Sequence, residues 1–126
     1  MGIRKFGAKS QARLNECHPD LQRLMAEVNN RVDTTILCGH RGEAEQNAAF
    51  LAGNSKLKWP ASKHNSKPSQ AVDAAPYPVD WADLKRWANW VAVVKQVAIE
   101  LKIEVVCGAD FKGFPDYPHV ELKRKE

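Results

Sequence analysis

Apolar positions recur at helical spacing in two segments of the chain. In HPDLQRLMAEVNNRV the apolar side chains return every three or four residues after Pro19, which predicts a helix over residues 19–31. A second apolar face, which includes two tryptophans, predicts a long core helix from about residue 80 to about residue 101. The segment GEAEQNAAFLAG is rich in helix-forming residues and ends on Gly53, a typical C-cap, so a third helix is predicted over residues 42–53.

Short segments rich in β-branched or alternating apolar residues lie between these helices. The predicted strands are TTILC at 34–38, AVDAAPY at 71–77, IEVVCG at 103–108 and PHVEL at 118–122. Residues 54–70 are rich in Lys, Ser and Pro and predict a long loop. Short strands covered on one side by helices predict an α+β fold with a small, mainly antiparallel sheet. The length of 126 residues and the lack of an internal linker predict one domain over residues 1–126.

Composition narrows the class of protein but not its function. With 44% hydrophobic and 27% charged residues, the chain has the composition of a folded globular protein. Its net charge of +4 favours an anionic partner, which could be nucleic acid, a membrane surface or an acidic polymer. No long apolar run is present and none follows the basic N-terminus, so neither stable membrane insertion nor a secretory signal is expected. The three cysteines include no CxxC pair and are expected to stay free in a reducing compartment.

The polar residues that could carry chemistry lie where loops meet strands. His40, His64 and His119 occupy such junctions. Catalytic zinc sites take three protein ligands from His, Asp, Glu or Cys and leave a position for water. His64 is followed by Asp73, and Asp116 shortly precedes His119, so ligands and a proton-accepting carboxylate for metal-assisted hydrolysis are available. Spacing alone also allows both histidines to be loop residues bonded to the backbone, and Asp116 to cap a turn.

Other interpretations of the neighbouring residues stay open at this point. Glu121 would face the same side of its strand as His119, where it could form a salt bridge or support a ligand histidine. Arg41 could be a surface residue that pairs with one of the glutamates that follow it. His40 could replace His64 as a ligand, although the adjacent charge of Arg41 would oppose a nearby cation.

Several motifs together resemble a known family. SKH, AVDAAPYP and GADF…DYPHVEL resemble the zinc peptidoglycan peptidases of the D-Ala-D-Ala carboxypeptidase and L-alanyl-D-glutamate endopeptidase family, in particular its small phage endolysins. GHRGEAEQNAAFLAG is similar to the family's Gly-Tyr/His-Arg…Gln…Gly segment. The resemblance covers about residues 36–122. It implies a Hedgehog/DD-peptidase-like fold and hydrolysis of an amide bond in the peptide stems of bacterial peptidoglycan.

The resemblance also implies roles for individual residues. It implies a Zn²⁺ site with the ligands His64, Asp73 and His119. It implies Asp116 as the general base, Arg41 as the residue that stabilises a developing oxyanion or holds a substrate carboxylate, and Ser62 as a residue that positions substrate. The chain departs from the family at three places: the commonest His-x6-Asp spacing is His-x8-Asp here, Ser69 replaces the usual glycine, and Asp116 stands where Glu is frequent. The extra residues are expected to be absorbed in the NSKP turn.

Several functional hypotheses follow. The resemblance implies a phage endolysin that cuts the L-alanyl-D-glutamate bond, is made in the host cytoplasm and reaches the cell wall through a separate holin. A monomer is expected for a compact domain of this size. The alternatives are a D,D-carboxypeptidase or dipeptidase with the same zinc site, and an inactive relative with structural zinc, against which Asp116 argues. A basic nucleic-acid-binding module is a further alternative, but the chain has no motif of that kind, so no nucleic-acid partner is expected.

Overall fold

The computed structural model describes residues 3–123, and residues 1–2 and 124–126 lie outside the described part of the chain. Residues 3–123 form the helices α1 (Ala8–Leu14), α2 (Pro19–Arg31), α3 (Glu43–Leu51) and α4 (Leu84–Leu101). The strands of the same segment are β1 (Thr34–Cys38), β2 (Ala71–Pro76), β3 (Val105–Cys107) and β4 (His119–Leu122). Two short 3-10 turns, Lys63–Asn65 and Gly108–Asp110, lie before β2 and after β3.

The described strands form one antiparallel sheet in the order β1-β2-β4-β3. The α+β class and the antiparallel sheet predicted from the sequence are therefore confirmed. Strand β2 is central, because β1 pairs with one of its sides and β4 with the other. Asp73 of β2 lies opposite His119 of β4, and on its other side opposite Cys38 of β1. The register of the sheet alone thus brings two predicted ligands next to each other.

A hydrophobic core lies between the sheet and the helices α2 and α4. Trp87 and Trp90 of α4 are almost fully buried in it, as the apolar face of this helix predicts. The indole N–H of Trp90 donates to Thr34 Oγ1 at 3.1 Å, which satisfies its only polar group. Although α4 buries an apolar face, no helix within residues 3–123 is long and apolar enough to cross a membrane.

Strand β4 divides its side chains between the core and the opposite face of the sheet. Val120 and Leu122 belong to the core cluster, and the burial of their apolar surface favours this orientation. His119 and Glu121 alternate with them and therefore point away from the helices. The pattern of apolar and polar residues in PHVEL thus directs the predicted ligand into the space where the site is built.

The bounds of α2 and β1 agree with the sequence prediction, whereas those of other elements differ. Helix α4 begins at Leu84 instead of near residue 80, because Asp83 accepts a hydrogen bond from the backbone N–H of Arg86 at 3.2 Å and caps the first turn. Strand β3 is shorter than the predicted 103–108, since the chain enters a 3-10 turn at Gly108 and the N–H of Ile103 still bonds the end of α4 at the Ala98 carbonyl, 2.9 Å away.

Helix α1 is absent from the sequence prediction. Its buried residues are Ser10 and Leu14, so no apolar period marks it in the sequence. Ser10 Oγ accepts a hydrogen bond from the N–H of Ile36 at 2.9 Å, and Arg13 Nη1 donates to the carbonyl of Ile36 at 3.0 Å. These bonds satisfy backbone groups at the outer edge of β1, which an exposed edge strand would leave unpaired.

Candidate metal centre

Three side chains with metal-binding chemistry meet on the open face of the sheet. His64 comes from the 3-10 turn before β2, Asp73 from the middle of β2 and His119 from the start of β4. One donor atom from each of these residues lies within 4.8 Å of the other two. His64 is 2% exposed and His119 is 8% exposed, so the group is shielded from bulk water. The structure therefore brings together the three predicted ligands, and their role as zinc ligands stays a prediction.

The lengthened turn between His64 and Asp73 is held by its own polar side chains. Ser62 Oγ accepts a hydrogen bond from the N–H of His64 at 3.2 Å, and Asn65 Oδ1 accepts one from the N–H of Ser62 at 3.0 Å. Ser69 is fully buried, and its hydroxyl donates to the carbonyl of Ala71 at 2.6 Å. The extra residues therefore leave His64 against β2.

The ring of His64 is oriented by the backbone. Its Nδ1 lies 2.8 Å from the carbonyl oxygen of Gly39, which can only accept a hydrogen bond, so Nδ1 carries the proton of the neutral ring. Its Nε2 lies 3.3 Å from Asp73 Oδ1. The unprotonated nitrogen of the neutral tautomer is thus directed at the centre of the cluster, as metal binding requires.

His119 presents the other ring nitrogen. Its Nδ1 lies 3.2 Å from Asp73 Oδ1, and its Nε2 lies 2.7 Å from Glu121 Oε1. Because an ionised carboxylate only accepts hydrogen bonds, Nε2 carries the ring proton and Nδ1 is available as a metal donor. Both interpretations of Glu121 left open by the sequence agree with the geometry, because Glu121 contacts His119 through Oε1 and forms an ion pair with Lys63 through Oε2.

The electrostatics of the cluster favour bound positive charge. Burial raises the pKa of Asp73, but its hydrogen bonds and charge interactions with His119 and His64 outweigh burial and hold that pKa well below its usual range. Burial likewise lowers the pKa of both histidines, yet their hydrogen bonds to Asp73 raise the pKa of His64 and of His119 above the usual range. In the metal-free protein the two imidazoles therefore hold protons that balance the carboxylate. A divalent cation can take over this balance when the protons leave.

The donor set fits zinc. Two imidazole nitrogens and one carboxylate oxygen are a ligand set that catalytic zinc sites use, with one further position left for water or substrate. Both histidines also have their second ring nitrogen bonded to an acceptor, which is usual for histidines that bind a metal. His40 is outside the cluster identified among the described residues, so the geometry favours His64 over His40 as the predicted ligand.

Asp116 lies in the loop before β4 and lines the same cleft as the three clustered residues. Its backbone N–H donates to the carbonyl of Gly108 at 2.8 Å, and its own carbonyl accepts from the N–H of His119 at 3.1 Å. The loop approaches Gly108 so closely that a Cβ there would overlap the Asp116 carbonyl oxygen. Burial and then the charge of Asp73 raise the pKa of Asp116, which brings the carboxyl closer to the range of a proton-transfer group.

Arg41 contacts the cluster directly. Its Nη2 lies 3.5 Å from Asp73 Oδ2, and its Nη1 donates to Gln46 Oε1 at 3.0 Å. The partner glutamates considered from the sequence, Glu43 and Glu45, are not its ion-pair partners within residues 3–123. Gln46 is fully buried and was not assigned a role from the sequence, although it belongs to the motif that carries the family resemblance. Arg41 is therefore fixed at the edge of the cluster.

Ser62 has a contact that the sequence did not indicate. Its side chain caps the turn that carries His64, and the residue also lines the cleft. Ser62 is 9% exposed, so little of its surface is open to a substrate. Its predicted role in positioning substrate stays a prediction, and the observed contact gives it a role in holding the His64 turn.

Comparison with known proteins agrees with this geometry. The family model for the phage L-alanyl-D-glutamate peptidase matches residues 1–126. The chain is also similar to the crystal structure of the Serratia marcescens L-Ala D-Glu endopeptidase ChiX, with 29% sequence identity and a TM-score of 0.81. That match covers 96% of this chain and 91% of ChiX. Because the family model matches the chain over its whole length, the protein belongs to the phage L-alanyl-D-glutamate peptidase family.

Proposed function

We propose that the protein is a zinc metallopeptidase that hydrolyses the L-alanyl-D-glutamate bond in the peptide stems of bacterial peptidoglycan. The observation that carries this proposal is the buried cluster of His64, Asp73 and His119 in a chain of this peptidase family. We assign these three residues as zinc ligands, Asp116 as the general base and Arg41 as a residue that stabilises charge on the substrate.

The cleft around the cluster suits a short anionic peptide. It has a volume of about 630 Å³ and lies between the loop that follows α3 and the loop that precedes β4. Two of its cations are paired, Arg41 with Asp73 and Lys63 with Glu121. Two further cations that line the cleft, Lys56 and Lys112, have no carboxylate partner within residues 3–123. Lys56 Nζ lies over the Phe114 ring at 4.7 Å from its centroid, a contact that leaves its charge without a counter-ion. We propose that Lys56 and Lys112 bind the free carboxylates of a peptide stem.

The chemistry of the proposed reaction is divided among the residues of the cleft. Bound zinc would lower the pKa of a water molecule and polarise the scissile carbonyl. The Asp116 carboxylate would take a proton from the attacking water and return it to the leaving amine, a transfer for which a raised pKa is favourable. The Arg41 guanidinium would offset the negative charge that develops on the carbonyl oxygen.

The proposal is tested by digesting purified peptidoglycan and identifying the products by mass spectrometry. We expect cleavage between L-alanine and D-glutamate, loss of cleavage in a chelator, and recovery when zinc is added. Release of terminal D-alanine alone would support the D,D-carboxypeptidase alternative. Cleavage that persists after complete removal of metal would contradict the zinc mechanism.

We further propose that residues 1–126 form a single catalytic domain that works as a monomer on the cell wall during lysis of the host. The family supports action on the wall, and a separate holin is the route of release that the resemblance implies. Light scattering after size exclusion should then give a mass near 14.1 kDa. A mass of twice this value would contradict the monomer.

A further inference from the structure

An ion pair joins the two segments that carry the histidines of the cluster. Lys63 Nζ lies 3.2 Å from Glu121 Oε2 and also donates to the carbonyl of Leu122 at 2.6 Å. Lys63 directly precedes His64 in the 3-10 turn, and Glu121 lies on the same face of β4 as His119. The pair therefore connects the turn of one proposed ligand to the strand of the other.

Glu121 uses its two oxygens for different partners. Oε1 accepts the hydrogen bond from His119 Nε2 at 2.7 Å, whereas Oε2 faces Lys63. The first contact sets both the rotation of the imidazole and the nitrogen that carries its proton. The second contact fixes the carboxylate itself, because Lys63 is also held by the end of β4. The side chains of Lys63 and Glu121 are 34% and 21% exposed, so both are partly withdrawn from water.

The two histidines are oriented by different acceptors. His64 donates to the neutral backbone carbonyl of Gly39, an acceptor that no side chain supplies. His119 donates to the carboxylate of Glu121, whose charge makes an imidazole a stronger donor to a metal ion. His119 is therefore the ligand whose binding strength depends on a single side chain.

We propose that Lys63 and Glu121 form a clamp that preorganises the metal centre, with Glu121 positioning His119 and Lys63 positioning Glu121. This inference rests on the proposed zinc site. Removal of a hydrogen-bond acceptor behind a metal-bound histidine lowers metal affinity by about 10- to 100-fold. We therefore expect a loss of this size for Glu121→Ala. Glu121→Gln keeps an oxygen acceptor without the charge, so its loss should be smaller.

The order of effects distinguishes a clamp from an ordinary salt bridge. Lys63→Met leaves the bond between Glu121 and His119 in place and should weaken zinc binding only about two- to fivefold. Because Lys63 acts through Glu121, Lys63→Met should no longer weaken zinc binding when Glu121 is already alanine. A salt bridge that served stability alone would alter unfolding of the metal-free protein and leave zinc affinity unchanged.

The test uses the metal-free full chain, titrated with zinc against a chromophoric chelator, and the visible spectrum of the cobalt(II) form. The exposed Glu104→Ala serves as the matched control and should bind zinc like the wild type. Far-UV circular dichroism checks that each variant is folded. If Glu121→Ala does not fold, the zinc affinity of Glu121→Gln is compared with that of the wild type instead.

Three outcomes can be told apart. Weaker zinc binding in the predicted order, with a changed cobalt spectrum for Glu121→Ala, supports the clamp. Wild-type zinc affinity in Glu121→Ala and Glu121→Gln overturns the clamp and leaves the zinc site intact. A wild type that binds no zinc overturns the proposed function itself, and the clamp with it.

Discussion

Gly108→Ala should disable the enzyme without removing its metal ligands. Gly108 lies where the loop that carries Asp116 folds against the end of β3. An added Cβ would overlap the backbone carbonyl of Asp116 and would come within 2.8 Å of the Cβ of His119. Real Cβ atoms almost never approach other atoms more closely than 3.0 Å, so the loop has to move.

The size of the effect follows from the size of this movement. Relief of the overlap requires a shift of about 1 Å, and such a displacement of a reacting group costs on the order of 100-fold in rate. Overpacking of a well-packed site also lowers the free energy of unfolding by about 1–3 kcal/mol. Zinc should still bind through His64 and Asp73, which lie outside the displaced loop, but with lower affinity, because the added Cβ also presses against the Cβ of His119.

The assay combines kcat on a soluble muropeptide, zinc content by elemental analysis and thermal unfolding. Gly7→Ala is the matched control, because a Cβ at Gly7 meets no atom within 4 Å and its φ of −66° suits alanine. The control should keep the kcat of the wild type, with only a small loss of stability, because Gly7 is the N-cap of α1 and alanine is less favourable than glycine there. A folded Gly108→Ala variant with the kcat of the wild type would refute the view that this glycine holds Asp116 in place.

Three further predictions follow from the charges of the site. Asp116→Asn should lower kcat by about 10²- to 10⁴-fold with zinc retained, as measured by kinetics and elemental analysis, since an amide cannot accept the proton. Because Asp73 raises the pKa of His64 and His119, the metal-free rings should stay protonated at neutral pH. Zinc binding should therefore release up to about two protons and should weaken as the pH falls. Calorimetry in buffers of different ionisation enthalpy measures this release, and the absence of proton release would contradict the prediction. The double variant Lys56→Gln/Lys112→Gln should raise KM on the order of tenfold for a stem peptide with free carboxylates and change it little for the amidated peptide. An equal rise in KM for the two peptides would argue against carboxylate binding by these lysines.

The sequence predicted much of the fold because its apolar periods are strong. The helix over residues 19–31 and the strand over 34–38 agree with the structure, since the helix is marked by apolar side chains at helical spacing and the strand by its β-branched residues. Helix α1 was missed because it is held to β1 by Ser10 and Arg13, and polar contacts with a distant strand leave no period in the sequence.

The proposed site was predictable as a set of residues but not as a network. Alternation along PHVEL indicated that His119 and Glu121 share a face, yet it could not indicate that Glu121 accepts from His119 and pairs with Lys63. Arg41 shows the same limit. Its neighbours in sequence suggested a local ion pair, whereas the fold places it against Asp73, because sheet register and loop return decide contacts between distant segments.

The proposed reaction requires that His64, Asp73 and His119 hold a catalytic zinc ion. The most direct measurement is the zinc content of the purified wild type beside His64→Ala, Asp73→Ala, His119→Ala and Asp116→Asn, each assayed for lysis of purified cell walls. We expect about one zinc per wild-type chain, loss of zinc and lysis in the three ligand variants, and retention of zinc without lysis in Asp116→Asn. Wild-type zinc content in all three ligand variants would contradict the proposed zinc site.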